Sequence, residues 1–119
     1  MIKNYMNTVC KLLKMKSPLL ELAPRWKMKS QVVYYEPQKN KIIMLKKRKY
    51  NIQECYELSK QLRYIWQNHN SKKINELDAD AFASVSVKII FGKVVQRKYK
   101  NDEYWKRLEE LKEEYLIDF

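Results

Sequence analysis

Apolar positions recur at helical spacing from the start of the chain. In residues 2–15, Ile2, Tyr5, Met6, Val9, Leu12 and Leu13 fall on one side of a 3.6-residue repeat. Lys3, Asn7, Lys11 and Lys14 fall on the other, and no acid precedes Glu21. The spacing predicts an amphipathic helix of the kind organelle-targeting segments form, although Arg is absent. We read residues 1–21 as a basic amphipathic arm that is retained and docks on a partner. The apolar face is short for a helix lying on a membrane surface. The stretch 17–30, "SPLLELAPRWKMKS", carries two prolines and reads as a connector.

Two strands follow, "QVVYYE" and "KIIMLKK", rich in β-branched and aromatic residues and joined by "EPQKN", with Pro37 suited to the second position of a turn. Asn51 then caps a helix, with Glu54 three residues on in the capping-box position. Its apolar stripe runs through Ile52, Cys55, Leu58, Leu62, Ile65 and Trp66. After a polar connection at 75–81, "FASVSVKII" alternates at period two and predicts a third strand. Gly92 supplies a tight turn, and "KVVQRKY" the return strand. Asn101 or Asp102 caps a last helix with Tyr104, Trp105, Leu108, Leu111 and Tyr115 on its apolar side. The predicted order is α–β–β–α–β–β–α. The fold class is α+β, a two-layer sandwich with a small sheet from two β-hairpins and two helices on one face. Residues 22–119 form this single domain behind the N-terminal helical arm.

Composition supports one modest core. The chain has 119 residues, 45% of them hydrophobic. Its single Gly excludes flexible linkers and Gly-rich phosphate loops. No apolar run is long enough to span a bilayer. Cys10 and Cys55 have no metal-ligand spacing and form no disulfide framework; they read as small buried hydrophobes in a reducing compartment or organelle matrix.

Charge changes the picture more. The net charge is +11, and its distribution is one-sided. Residues 1–50 hold 13 Lys+Arg against 2 Asp+Glu, whereas residues 51–119 hold 12 of each. An imbalance of this kind is the footprint of a polyanion-binding face.

Catalytic constellations are missing. His69, the sole histidine, sits in a polar helix exit with no partner at a useful spacing. The pairs Glu109/Glu110 and Glu113/Glu114 read as a solvated helix face. Ser84 and Ser86 lack a nucleophile motif. Tyr104 would need a His-x-His metal motif to act as a nuclease nucleophile, and one histidine cannot supply it. The expectation is a protein that is not an enzyme, with no cofactor and no metal.

The remaining motif interleaves cations with aromatics: Arg25-Trp26-Lys27-x-Lys29 and Lys46-Lys47-Arg48-Lys49-Tyr50. Lys and Arg neutralise phosphates, and Arg and Trp stack on unpaired bases. A single charge run is usually a solvated face, and Trp26 alone would fit a core edge. Two runs flanking one hairpin, with only Glu36 between them, favour binding. The candidate RNA-binding residues are Lys11, Lys14, Lys16, Arg25, Trp26, Lys27, Lys29, Lys39, Lys41, Lys46, Lys47, Arg48 and Lys49. On a strand, Lys46 and Arg48 would point one way and Lys47 and Lys49 the other, which suggests polyanion on more than one side.

These pieces resemble the mitochondrial large-subunit ribosomal proteins of family forty-nine (the Img-two family). The matching segments are "RWKMKSQVVYY" with Arg25, Met28, Val33 and Tyr34, and "IIMLKKRKYNI" with Leu45, Lys46, Lys47 and Ile52. "SVSVKIIFGKVV" around Gly92 matches a strand–Gly–strand unit, and "YWKRLEEL" and the closing "DF" match a last helix with Trp105 and a terminal Phe119. As a divergent member, the chain has Tyr50-Asn51 where the family has Gly-Asp, and Asp118-Phe119 where it has Gly-Phe. The resemblance implies a SUI-like fold and a non-catalytic structural constituent of the mitochondrial ribosome large subunit. Its partners would be rRNA and neighbouring ribosomal proteins in the matrix, with no small-molecule substrate and no membrane contact. Two other readings stay open. One is a small viral or phage-type regulator that binds nucleic acid or a host protein, in the cytoplasm. The other is an accessory subunit of an organelle membrane complex.

Overall fold

The run Ile42–Leu45 is apolar throughout because it is the middle of a sheet covered on both faces. The computed structural model describes residues 2–95 and 101–119. Its elements are α1 (Ile2–Leu12), β1 (Leu19–Ala23), the four-residue α2 (Arg25–Met28), β2 (Val33–Glu36), β3 (Lys41–Leu45), α3 (Ile52–His69), α4 (Glu76–Phe91) and α5 (Asp102–Glu114). A 3-10 turn at Pro37–Lys39 joins β2 to β3, with Asn40 in the left-handed conformation closing it. The strand order is β1-β3-β2. β2 runs antiparallel to β3, and β1 parallel to it.

Side chains of β3 alternate between two cores. Ile42 and Met44 join the main cluster, together with residues of α1, α3, α4 and α5. Ile43 and Leu45 face the other way and pack with Ala23, Met28 and Tyr34. A strand buried on both faces reads as a continuous apolar run. The chain is therefore α+β, with a helix layer on one face of a small mixed sheet.

Two predicted elements are corrected. The stretch 17–30 is not a plain connector: Pro18 and Pro24 bracket β1, which completes the sheet. The predicted second hairpin does not form. "FASVSVKII" lies within α4, so the described residues hold one hairpin, not two, and no strand–Gly–strand unit. Gly92 is the C-cap of α4, at φ +68, and its N–H reaches the Lys88 carbonyl. Of the predicted return strand, residues 93–95 have no regular structure, and 96–99 lie outside the described residues.

The reason for α4 is burial on every side. Residues 78–87 are all buried, so no polar stripe marks a helical period. Ser86 Oγ donates back to the Phe82 carbonyl at 3.0 Å, and Ser84 Oγ pairs with Tyr104 Oη at 3.0 Å. Both hydroxyls are thus accommodated inside the helix layer.

One buried charge network ties α3, α4 and α5. Asp78 accepts from Arg63 Nε at 2.7 Å and Nη2 at 3.1 Å, from Gln67 Nε2 at 2.7 Å, and from Arg107 Nε at 2.6 Å. Arg63 is 2% exposed, with its guanidinium over the Trp66 ring at 3.9 Å. Burial raises the Asp78 carboxyl, but the bonds from Arg63, Arg107 and Gln67 outweigh it and hold the pKa below its ordinary value.

The apolar face of α1 is buried within the chain. Tyr5, Met6, Val9, Cys10 and Leu13 belong to the main core, and the Tyr5 and Ser59 hydroxyls are 2.6 Å apart. The polar face of α1 is what remains open.

Candidate nucleic-acid interface

The parallel pairing of β1 with β3 brings the two basic runs together. Its register matches Ala23 with Leu45, and the Lys46 N–H donates to the Ala23 carbonyl at 2.8 Å. Both strands therefore end side by side. β1 leads into Arg25–Lys29, and β3 leads into Lys46–Lys49. Met28 anchors α2 on the sheet, which leaves Arg25, Trp26, Lys27 and Lys29 outside. Trp26 is 82% exposed, so it does not belong to the core edge.

The second run is a loop, not a strand. β3 stops at Leu45, and the expected alternation of Lys46/Arg48 against Lys47/Lys49 does not hold. Tyr50 braces the loop: its hydroxyl donates to the Leu45 carbonyl at 2.7 Å and accepts from the Lys47 N–H at 3.2 Å. Asn51 and Glu54 form the predicted capping box of α3. Glu54 does more than cap. One oxygen accepts from the Asn51 N–H, and the other from Lys47 Nζ at 2.7 Å.

Acids divide the candidate cations into two groups. Glu21 Oε2 holds Lys27 at 2.7 Å and Oε1 holds Lys41 at 2.8 Å; hydrogen bonds from Lys27 and then Lys41 lower its pKa to about 2. Glu54 holds Lys47, and Glu36 lies 3.8 Å from Lys39. Lys11, Lys14, Lys16, Arg25, Lys29, Lys46, Arg48 and Lys49 are exposed and have no ion-pair partner among the described residues. Five of these, Arg25, Lys29, Lys46, Arg48 and Lys49, surround the same sheet end as Trp26. Lys39 and Lys41 lie at the other end of β3, about 13 Å away along the strand. Lys14 and Lys16 lead into that far end through Leu19.

Lys29 stands in backbone that favours glycine. Its φ of 57 and ψ of −125 match the second position of a type II′ turn, closed by the Gln31 N–H on the Met28 carbonyl at 3.1 Å. A side chain there costs about 1–3 kcal/mol. Lys29→Gly is expected to raise stability by about 1 kcal/mol in a denaturant melt, after the larger backbone entropy of unfolded Gly. The same change removes one free cation. Affinity for single-stranded RNA should then fall about five-fold at 0.1 M salt. Glu21→Gln has the opposite sign. It releases Lys27 and Lys41 and should tighten the same binding by about five-fold per phosphate gained.

A cleft of about 490 Å³ opens beside this cluster. Lys47, Arg48 and Lys49 line it from the loop, and Asn4 and Thr8 line it from α1. Its apolar lining includes Ile2, Tyr5, Leu22, Ile90 and Phe91. Phe91 stacks on Tyr5, with ring centres 5.5 Å apart and planes at 12°. None of Asn4, Thr8 or Phe91 was singled out from the sequence. Asn4 and Thr8 continue to Lys11 at helical spacing, a legible signal; Phe91 was hidden by the strand reading of its segment.

The other singled-out side chains are unremarkable in chemistry. Cys10 and Cys55 are buried free thiols. Burial pushes both upward, Cys55 to about 11, so neither is a ready thiolate. His69 is exposed at the end of α3, and Glu109, Glu110, Glu113 and Glu114 are exposed on α5. No group of three His, Cys, Asp or Glu is gathered among the described residues. None of the described helices is long and apolar enough to cross a membrane. No protein-family model matches the chain, and no curated protein or solved structure matches it.

Proposed function

We propose that this chain is a non-catalytic RNA-binding protein, a structural constituent of the ribosomal large subunit in mitochondria. The observation that carries the binding is the sheet end where Arg25, Lys29, Lys46, Arg48 and Lys49, with no ion-pair partner among the described residues, stand around an exposed Trp26. Unpaired cations attract phosphate through counterion release, and an exposed indole offers a stacking face to an unpaired base. The ribosomal assignment rests on the resemblance carried by "RWKMKSQVVYY" and "IIMLKKRKYNI", the two segments that build this end. Its partners are rRNA and adjoining ribosomal proteins.

Co-sedimentation tests the assignment. The protein, tagged at its C-terminus in its own cell, should travel with the large subunit on a gradient and follow it when EDTA splits the particles. High salt should release it. A protein that stays at the top of the gradient at every salt concentration contradicts the ribosomal reading. Recovery with DNA or with a membrane complex would support a regulator or an accessory subunit instead, because phosphate contacts carry no sequence information.

A further inference from the structure

We infer that the cleft between α1 and the Lys46–Lys49 loop receives one unpaired base of the RNA whose phosphates that loop holds. The inference rests on the RNA-binding reading above and adds to it a site and a class of substrate, single-stranded rather than paired RNA.

Three observations converge on the cleft. Its lining is mostly apolar and includes an aromatic stack, in which Phe91 covers Tyr5 and is itself still 43% exposed. A ring with one face packed and further surface open is a stacking platform. Its lining includes the exposed cations Arg48 and Lys49, which have no acid partner among the described residues. From α1 the exposed Asn4 also lines the cleft, and its side-chain amide has no hydrogen bond within the described residues; its backbone carbonyl accepts from Thr8 Oγ1 at 2.9 Å. An amide offers a donor and an acceptor side by side, as the edge of a base requires. A duplex buries its base faces in the stack and cannot fill such a cleft. A nucleotide splayed from a loop or a single strand places its base inside and its phosphate on the cationic loop.

The cleft's bracing fits a rigid receptor. Tyr50 fixes the cationic loop through two backbone bonds, and Glu54 fixes Lys47. Ile2 and Tyr5 are buried in the main core, so the α1 wall is fixed as well.

The test uses the whole chain with three RNA probes of equal length: a single strand carrying 2-aminopurine, the same strand with an abasic site at that position, and a perfect duplex. The wild type should bind the 2-aminopurine strand more tightly than the abasic strand and change the probe's emission. Phe91→Ala should weaken single-strand binding by about 5- to 150-fold, leave duplex affinity unchanged, and leave the salt slope unchanged. Phe91→Leu, which keeps apolar packing on Tyr5, separates stacking from folding: it should melt like the wild type and still lose the single-strand preference. Equal binding of all three probes overturns the cleft while leaving the phosphate-binding reading standing. No salt-dependent binding of any probe overturns both. Displacement of a bound single strand's signal by an acidic amphipathic peptide, with no difference between the probe strand and the abasic strand, assigns the cleft to protein instead.

Discussion

Asp78→Ala is expected to lower the unfolding free energy by about 3–5 kcal/mol, a large part of the stability of a domain this size. The change leaves the Arg63 guanidinium, 2% exposed, without its bidentate partner and removes the anchor of Arg107 and Gln67. It also removes a carboxylate of α4 that side chains of both α3 and α5 bond to. Asp78→Asn keeps the shape and some hydrogen bonds and should cost less. Urea melts of both variants check the order.

The same carboxylate gives stability a defined pH dependence. Its native pKa lies below the ordinary 3.8, so the native state binds its proton less readily than the unfolded chain does. Its contribution is therefore fully present above the unfolded value. It is lost as pH falls below about 4 and through the lower native value. Melts between pH 7 and 2.5 should show the wild type losing more stability than Asp78→Asn. Parallel curves would contradict this role for Asp78.

The second large effect is on binding. The triple variant Arg25→Glu, Arg48→Glu, Lys49→Glu removes three of the five free cations at the sheet end. At 0.1 M salt each lost phosphate contact lowers single-strand affinity about five-fold, so the loss should exceed about a hundred-fold before repulsion is counted. The three positions are exposed and have no partner among the described residues, so the melt should barely move. A matched reversal of Lys14, Lys16 and Lys39, at the far end of the sheet, should change affinity much less.

Local patterns in the sequence were legible wherever one face is wet. The stripe of α1, the Asn51–Glu54 capping box of α3 and the amphipathic α5 follow from period and caps, whereas the β2–β3 hairpin, whose β3 is buried on both faces, follows from its β-branched runs and the Pro37 turn. α4 was not, because a helix buried all round has no polar stripe, and its Ala, Ser and Val residues alternate like a strand. Its caps were nevertheless present: Asn75 accepts from the Asp78 N–H, as Asn51 does from Glu54, and Gly92 closes the far end. β1 was hidden for a different reason. Five residues between two prolines look like a connector, and the partner strand begins 22 residues further on, at Lys41 opposite Leu19. That nonlocal pairing is what gathers the two basic runs. The acids were visible but not their reach: Glu21 and Glu54 together neutralise Lys27, Lys41 and Lys47. The cations that matter are thus fewer than the sequence suggests, and closer together.

The most direct test of the claim that this sheet end grips phosphate is the salt dependence of single-stranded RNA binding. Five phosphate contacts predict that log K falls against log salt with a slope of about −3.5, and that the triple variant's slope is shallower by about 2. A wild-type slope near zero, or the same slope in the triple variant, would contradict the account.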